Sequence, residues 1–177
     1  MSKGMEDILR LNQANWPECA ATSFPALLRL TQVNNIFIQI IKDCVESYDL
    51  QSADFNLLSC LRRNPEPYVL SPTELYQSML FSSGGLTKVL NRLQKMELIE
   101  RLDNPEDKRS KLVKLSSKGK TLVEEIMPVL HKHEKRMLET ITPEELELLD
   151  QLMQRISSSM DRGGQSFLRC IRFSGTD

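Results

Sequence analysis

The sequence predicts a mainly α-helical chain carrying one small β-hairpin, and three observations predict it. Apolar residues recur at helical spacing over most of the 177 residues. Two segments, "SPTEL" and "TPEEL", open with a hydroxyl residue, a proline and a glutamate in the order that starts a helix. Two short strand-like runs, "LIERL" and "KLVKLS", flank the polar turn "DNPEDKRS".

Residues 1–23 read as a short helix or arm with Ile8, Leu9 and Leu11 apolar. From Phe24 to Tyr48 a wide stripe follows, with Leu27, Leu30, Val33, Ile36, Phe37, Ile40, Ile41 and Cys44; its width suits burial on more than one side. A second helix spans Ser52 to Arg63 and stops at "NPEP". Ser71, Pro72 and Glu74 start another by a capping box. A turn containing Ser82 and Ser83 leads to a helix that buries Leu86, Val89, Leu90 and Leu93 and shows Thr87, Lys88, Asn91, Arg92 and Lys95 to solvent. Two short helices around a tight turn, the second with a basic face, make a helix-turn-helix, and the hairpin that follows is its wing. Ser116 caps a long helix whose Pro128 predicts a bend or a break in the hydrogen-bond ladder. Thr142, Pro143 and Glu145 start the last helix, and after Ser157 the polar, Gly-containing sequence predicts a frayed or irregular tail.

Composition narrows the function classes. The chain is 40% hydrophobic and 27% charged, with a net charge of −1. No apolar run reaches the roughly 18 residues of a membrane span, and the start "MSKGMEDILRLNQANW" has no signal-peptide core, so a cytoplasmic protein is expected. Cys19, Cys44, Cys60 and Cys170 are scattered and form no CxxC pair, which predicts free thiols. His131 and His133 stand two apart on a helix and cannot chelate together; no Gly-rich phosphate loop, GxSxG or HExxH occurs. An enzyme is therefore not expected, and no cofactor or metal is implied. The neutral total hides an asymmetry: Ser82 to Lys120 holds ten Lys and Arg against five acids, a local +5 that suits a polyanion.

The wing stretch "DNPEDKRSKLVKLSSKG", with Asp107, Arg109, Leu112, Leu115, Ser116 and Gly119, together with "SSGGLTKVLNRL", resembles the MarR family of winged-helix bacterial regulators. The likeness runs from Phe24 to Ile156 and departs from the family at Glu97, where a helix-ending glycine usually stands. It implies a winged helix-turn-helix domain at 49–117, an arm and dimerisation helix at 1–48, C-terminal dimerisation helices at 118–160 and a tail at 161–177. It also implies an intertwined homodimer that binds double-stranded DNA at a pseudo-palindromic operator, with two reading helices about one turn, roughly 34 Å, apart.

On that reading Ser82, Ser83 and the first-turn amides hold a phosphate. Thr87, Lys88 and Asn91 face base edges or the adjacent backbone; Arg92 and Lys95 meet phosphates. Arg109 enters the minor groove with Asp107 orienting it, while Lys108 and Lys111 add phosphate contacts. The N-terminal stretches "NWPE" and "FPALLRL" resemble the branch of the family that answers to urate and phenolic compounds. Urate-binding members use a Trp, an Asp and two Arg. Here Trp16 and Arg101 match, Asn56 stands for the Asp and Val89 for the second Arg. The resemblance therefore implies a less charged aromatic acid or phenol, lined by Trp16, Phe55, Asn56 and Arg101. Two alternatives stay open: redox sensing through Cys19, and a winged helix that binds protein in place of DNA.

Overall fold

In the computed structural model the described residues are 4–78, 85–105, 107 and 110–170, with side chains through Ser159. The chain divides into two compact units, residues 1–134 and 135–177. Helices α1 (Met5–Asn15), α2 (Pro17–Thr22), α3 (Pro25–Glu46), α4 (Ser52–Arg63), α5 (Pro72–Ser78) and α6 (Leu86–Lys95) lie in the first unit. So do strands β1 (Val69–Leu70), β2 (Ile99–Asp103) and β3 (Lys111–Leu115), and most of α7 (Ser117–Met137). Among the described residues no helix is long and apolar enough to cross a membrane.

The start signals read from sequence fold as local chemistry requires. The Glu74 amide donates to Ser71 Oγ at 3.2 Å, and the Ser71 amide returns a bond to Glu74 Oε2 at 2.7 Å. Ser71 holds the Glu74 carboxyl below the ordinary glutamate range, through its backbone amide first and its hydroxyl second. Thr142 and Glu145 repeat the box at 3.3 and 2.8 Å. Ser116 Oγ accepts the Gly119 amide at 3.0 Å and donates to the Glu97 carbonyl at 2.7 Å, so one hydroxyl both starts α7 and ties it to the turn after α6.

α4 is the spine of the first unit: Leu57, Leu58 and Leu61 are fully buried, and Leu75, Leu93, Val113, Val123 and Ile126 join the same core. The antiparallel sheet has the order β1-β3-β2, with Arg101 opposite Val113 and Glu100 opposite Lys114. β1 is a third strand that the sequence reading lacked. It pairs Val69 with Lys114 and Leu70 with Val113.

Four further differences have physical reasons. The arm forms two helices, not one, because Trp16 leaves helical geometry just before Pro17, a proline suited to a first helical turn. α7 runs through Pro128 without a break, since a proline forfeits one ladder bond and the flanking turns keep theirs. Glu97 takes the left-handed turn that glycine usually takes, at φ 62°. Its amide reaches the Gln94 carbonyl and the Leu98 amide reaches Leu93, both turns of a helix-ending motif. Finally, α8 (Pro143–Cys170) continues well past Ser157, correcting the expected irregular tail. No proline follows Pro143, and two central glycines cost a helix only about 1 kcal/mol each.

Much apolar surface stays uncovered in the single chain. On the arm and α3, Phe24 is 70% exposed, Trp16 61% and Leu27 53%, with Val33 and Ile36 also open. In the second unit α8 leaves Leu148, Leu149, Leu152 and Ile156 exposed.

Candidate nucleic-acid interface

Gly85 opens α6 in the left-handed region, φ 97°, and its carbonyl accepts the Lys88 amide at 2.8 Å. A left-handed residue at that point favours glycine, which carries no Cβ to oppose it. Over ten residues α6 then sorts itself by face: Val89, Leu90 and Leu93 are buried, while Thr87, Lys88, Asn91, Gln94 and Lys95 are exposed. Thr87, Asn91 and Lys95 follow at four-residue intervals and Lys88 lies beside them, so one solvent face carries four of the five expected contacts. No acid stands in the first turn to repel an anion. Among the described residues Lys88 and Lys95 form no ion pair.

The fifth, Arg92, is differently committed. Its Nε reaches Asp54 Oδ1 at 2.9 Å and Oδ2 at 2.8 Å, and its terminal nitrogen reaches Oδ1 at 2.6 Å. Asp54 is fully buried. Arg92, expected on phosphate, is bound in this structure to Asp54 of α4. Nothing in the spacing signals a partner 38 residues upstream.

The wing treats its cations in a third way. Lys111 pairs with Asp103, and Lys114 with Glu100 at 3.6 Å, each pair directly opposite in the β2–β3 register. The Lys111 ammonium holds the Asp103 carboxyl below the ordinary aspartate range, through its hydrogen bond first and its charge second. Lys118 donates to the Met96 carbonyl at 2.9 Å, and Lys120 lies 3.6 Å from Glu66. At the turn, Asn104 donates to Ser110 Oγ at 2.8 Å and the Asp107 carbonyl accepts the Ser110 amide at 3.0 Å. Ser82, Ser83, Lys108 and Arg109 lie outside the described residues. Among the described residues the cations of this segment are thus held unevenly: lysines at the strands and sheet base are matched by acids, and Lys88 and Lys95 on α6 are not.

The expected ligand residues divide as well. Phe55 and Asn56 are buried on α4, Arg101 is half-buried on β2, and Trp16 is open at the α1–α2 joint. Arg101 donates to Asn91 Oδ1 at 3.4 Å, which links this set to the exposed face of α6. Asn56 Nδ2, Ser59 Oγ and Arg101 Nε are buried without a hydrogen-bond partner among the described residues. Ser59 was absent from the sequence reading; it lies three residues after Asn56, one step along the same helix face. Val89, at the position of the missing second Arg, is core. A cavity of about 480 Å³ opens on α1 and α2, lined by residues such as Leu9, Asn12, Pro17 and Ala20, and none of the four expected ligand residues lines it. Burial pushes the Cys44 and Cys60 thiols up, and Cys19 is half-buried on α2. Among the described residues no group of three or more His, Cys, Asp or Glu is placed to hold a metal ion.

Residues 48–110 match the model described as MarR family. The HTH-type transcriptional regulator PecS of Dickeya dadantii is 22% identical over 156 residues, spanning 88% of this chain and 94% of its own. The crystal structure of apo wild-type MarR from E. coli has a TM-score of 0.65 at 26% identity, covering 76% of this chain and 97% of its own. A cysteine-to-serine mutant of MarR complexed with operator DNA has a TM-score of 0.63 at 24% identity, covering 88% of this chain and 99% of its own, and bears on the fold alone.

Proposed function

We propose a function from one premise: this chain belongs to the MarR family of winged-helix transcriptional regulators. It works as a homodimeric DNA-binding regulator that represses from a pseudo-palindromic operator and lets go when a small aromatic acid or phenol binds. The single observation that carries this is the face of α6, where Thr87, Lys88, Asn91 and Lys95 stand exposed beside the β2–β3 wing. A helix of that kind enters the major groove, where Asn91 offers an amide to base edges and the lysines neutralise phosphates. The uncovered stripes on the arm, α3 and α8 support the homodimer, since such a surface is covered in a stable protein. Covering it with a second copy sets two α6 helices about one DNA turn apart.

Support for a ligand comes from the unpartnered donors. A buried donor without an acceptor costs about 1–3 kcal/mol, and Asn56, Ser59 and Arg101 each present one. An acceptor-bearing ring, carboxylate or phenol, satisfies such groups. Arg101 turning toward it gives up Asn91, and the reading face of α6 loses a fixed side chain. Repression is the direction that follows from occupying a promoter and leaving on binding.

Fluorescence anisotropy on duplex DNA from upstream of the gene for this chain tests the reading. Tight binding with a steep salt slope, relieved by an aromatic acid and weakened by Arg109→Ala, is the expected result. Binding no tighter than to random duplex would send the search to a distant operator. Weak binding to every duplex would replace DNA with a protein partner.

A further inference from the structure

We propose that Asp54 and Arg92 are a positioning pair which sets the rotation of α6 on α4, and that Arg92 serves DNA reading through Asp54 without touching phosphate. The inference rests on the DNA-binding function proposed above. Asp54 sits in the first turn of α4, where Oδ2 accepts the Gln51 amide at 2.9 Å in addition to the Arg92 Nε. Its other oxygen takes two donors from the same guanidinium. The carboxylate is therefore fully subscribed and fully buried, while the Arg92 side chain is 32% exposed.

Apolar packing holds α6 down but does not fix its rotation. Val89, Leu90 and Leu93 contact the core through dispersion, which is short-ranged and has little directionality. A forked guanidinium on a carboxylate is directional in distance and in plane. On a helix with a radius of about 5–6 Å including side chains, a turn of about 20° carries a tip roughly 2 Å, enough to lose a hydrogen bond to a base edge. Asn91, Lys95 and Thr87 flank Arg92 on the same helix and move with it.

Phosphate does not compete for this arginine as it does for Lys111. Lys111 and Asp103 are both exposed, and water takes the place of either partner at little cost. Drawing Arg92 away strips a buried carboxylate of its counter-charge. The pair also has a second attachment. Gln51 follows Leu50 and Asp49, the turn that ends α3, so the end of the helix with the uncovered apolar stripe is joined through Asp54 to the reading helix.

The test uses the full chain on its operator and on random duplex, across a salt series, with folding checked by circular dichroism. Arg92→Lys keeps the charge and loses the fork; Arg92→Gln loses both; Asp54→Asn keeps the shape and loses the counter-charge. The expected result is that all three lose about tenfold or more of the operator-over-random ratio. The slope of log affinity on log salt stays at the wild-type value, and Asp54→Asn with Arg92→Gln is no worse than the worse single change. A slope lower by about one in Arg92→Gln, with Arg92→Lys binding like wild type, makes Arg92 a phosphate contact and overturns the inference alone. A wild-type ratio in folded variants also overturns it. Wild type that binds no duplex overturns the function and the inference together. Should Asp54→Asn fail to fold, the two arginine variants still decide.

Discussion

Helix α6 and the β2–β3 wing are consecutive in sequence and both rich in cations, yet they hold them by opposite means. On the wing each strand lysine faces an acid across the ladder, exposed to water on both sides. On α6 two lysines have no ion pair among the described residues, and the arginine is locked to a buried aspartate. Charge counted along the chain does not distinguish the two, whereas burial does. A matched surface pair contributes little and opens readily; a half-buried pair organises the elements it joins and is costly to break.

The strongest way to break that comparison is to remove one partner from each region. Arg92→Ala is expected to lower unfolding free energy by about 3 kcal/mol, because Asp54 is left buried without a counter-charge. Urea titration measures it, and Asp103→Asn, its counterpart on the wing, should leave the midpoint unmoved. Next comes the joint between the two regions. A Cβ on Gly119 would stand 2.2 Å from the Leu98 carbonyl, in the turn linking α6 to β2. Gly119→Ala is therefore expected to cost about 2 kcal/mol by overpacking against backbone, and thermal melts would show it. A smaller effect sharpens the electrostatic side. Lys88→Ala should reduce the salt slope of DNA binding by about one, and Lys111→Ala by clearly less, since Lys111 starts from a pair with Asp103. Equal slopes would mean that pairing on the wing is irrelevant to DNA. The smallest is a gain: Glu97→Gly should stabilise the chain by about 0.5 kcal/mol, relieving a left-handed side chain at the end of α6 and forfeiting only the exposed pair with Lys118.

Local chemistry made much of this fold legible in advance. Ser71, Ser116 and Thr142 announce helix starts because the bonds that satisfy a first turn come from residues three positions away. The alternation in "KLVKLS" and the burial of Leu90 and Leu93 follow from periodicity in the same way. The rest depends on contacts that no window contains. β1 is two residues long and exists only because β3 offers it an edge. Arg92 looks like any exposed cation on a basic face until Asp54 is brought beneath it. In the same way Asn56 and Arg101 are legible as residue types, while Ser59, an ordinary helix serine in sequence, gains its interest only from being buried and without a partner among the described residues.

The open apolar stripe from Trp16 through Ile36 has a consequence for how the protein is handled. With a second copy as its cover, as proposed, folding and assembly become a single concentration-dependent equilibrium, and dilution itself is a denaturant. The melting temperature would climb with each tenfold rise in protein concentration, and a binding curve taken at the lowest concentrations would report dissociating subunits as weak DNA affinity.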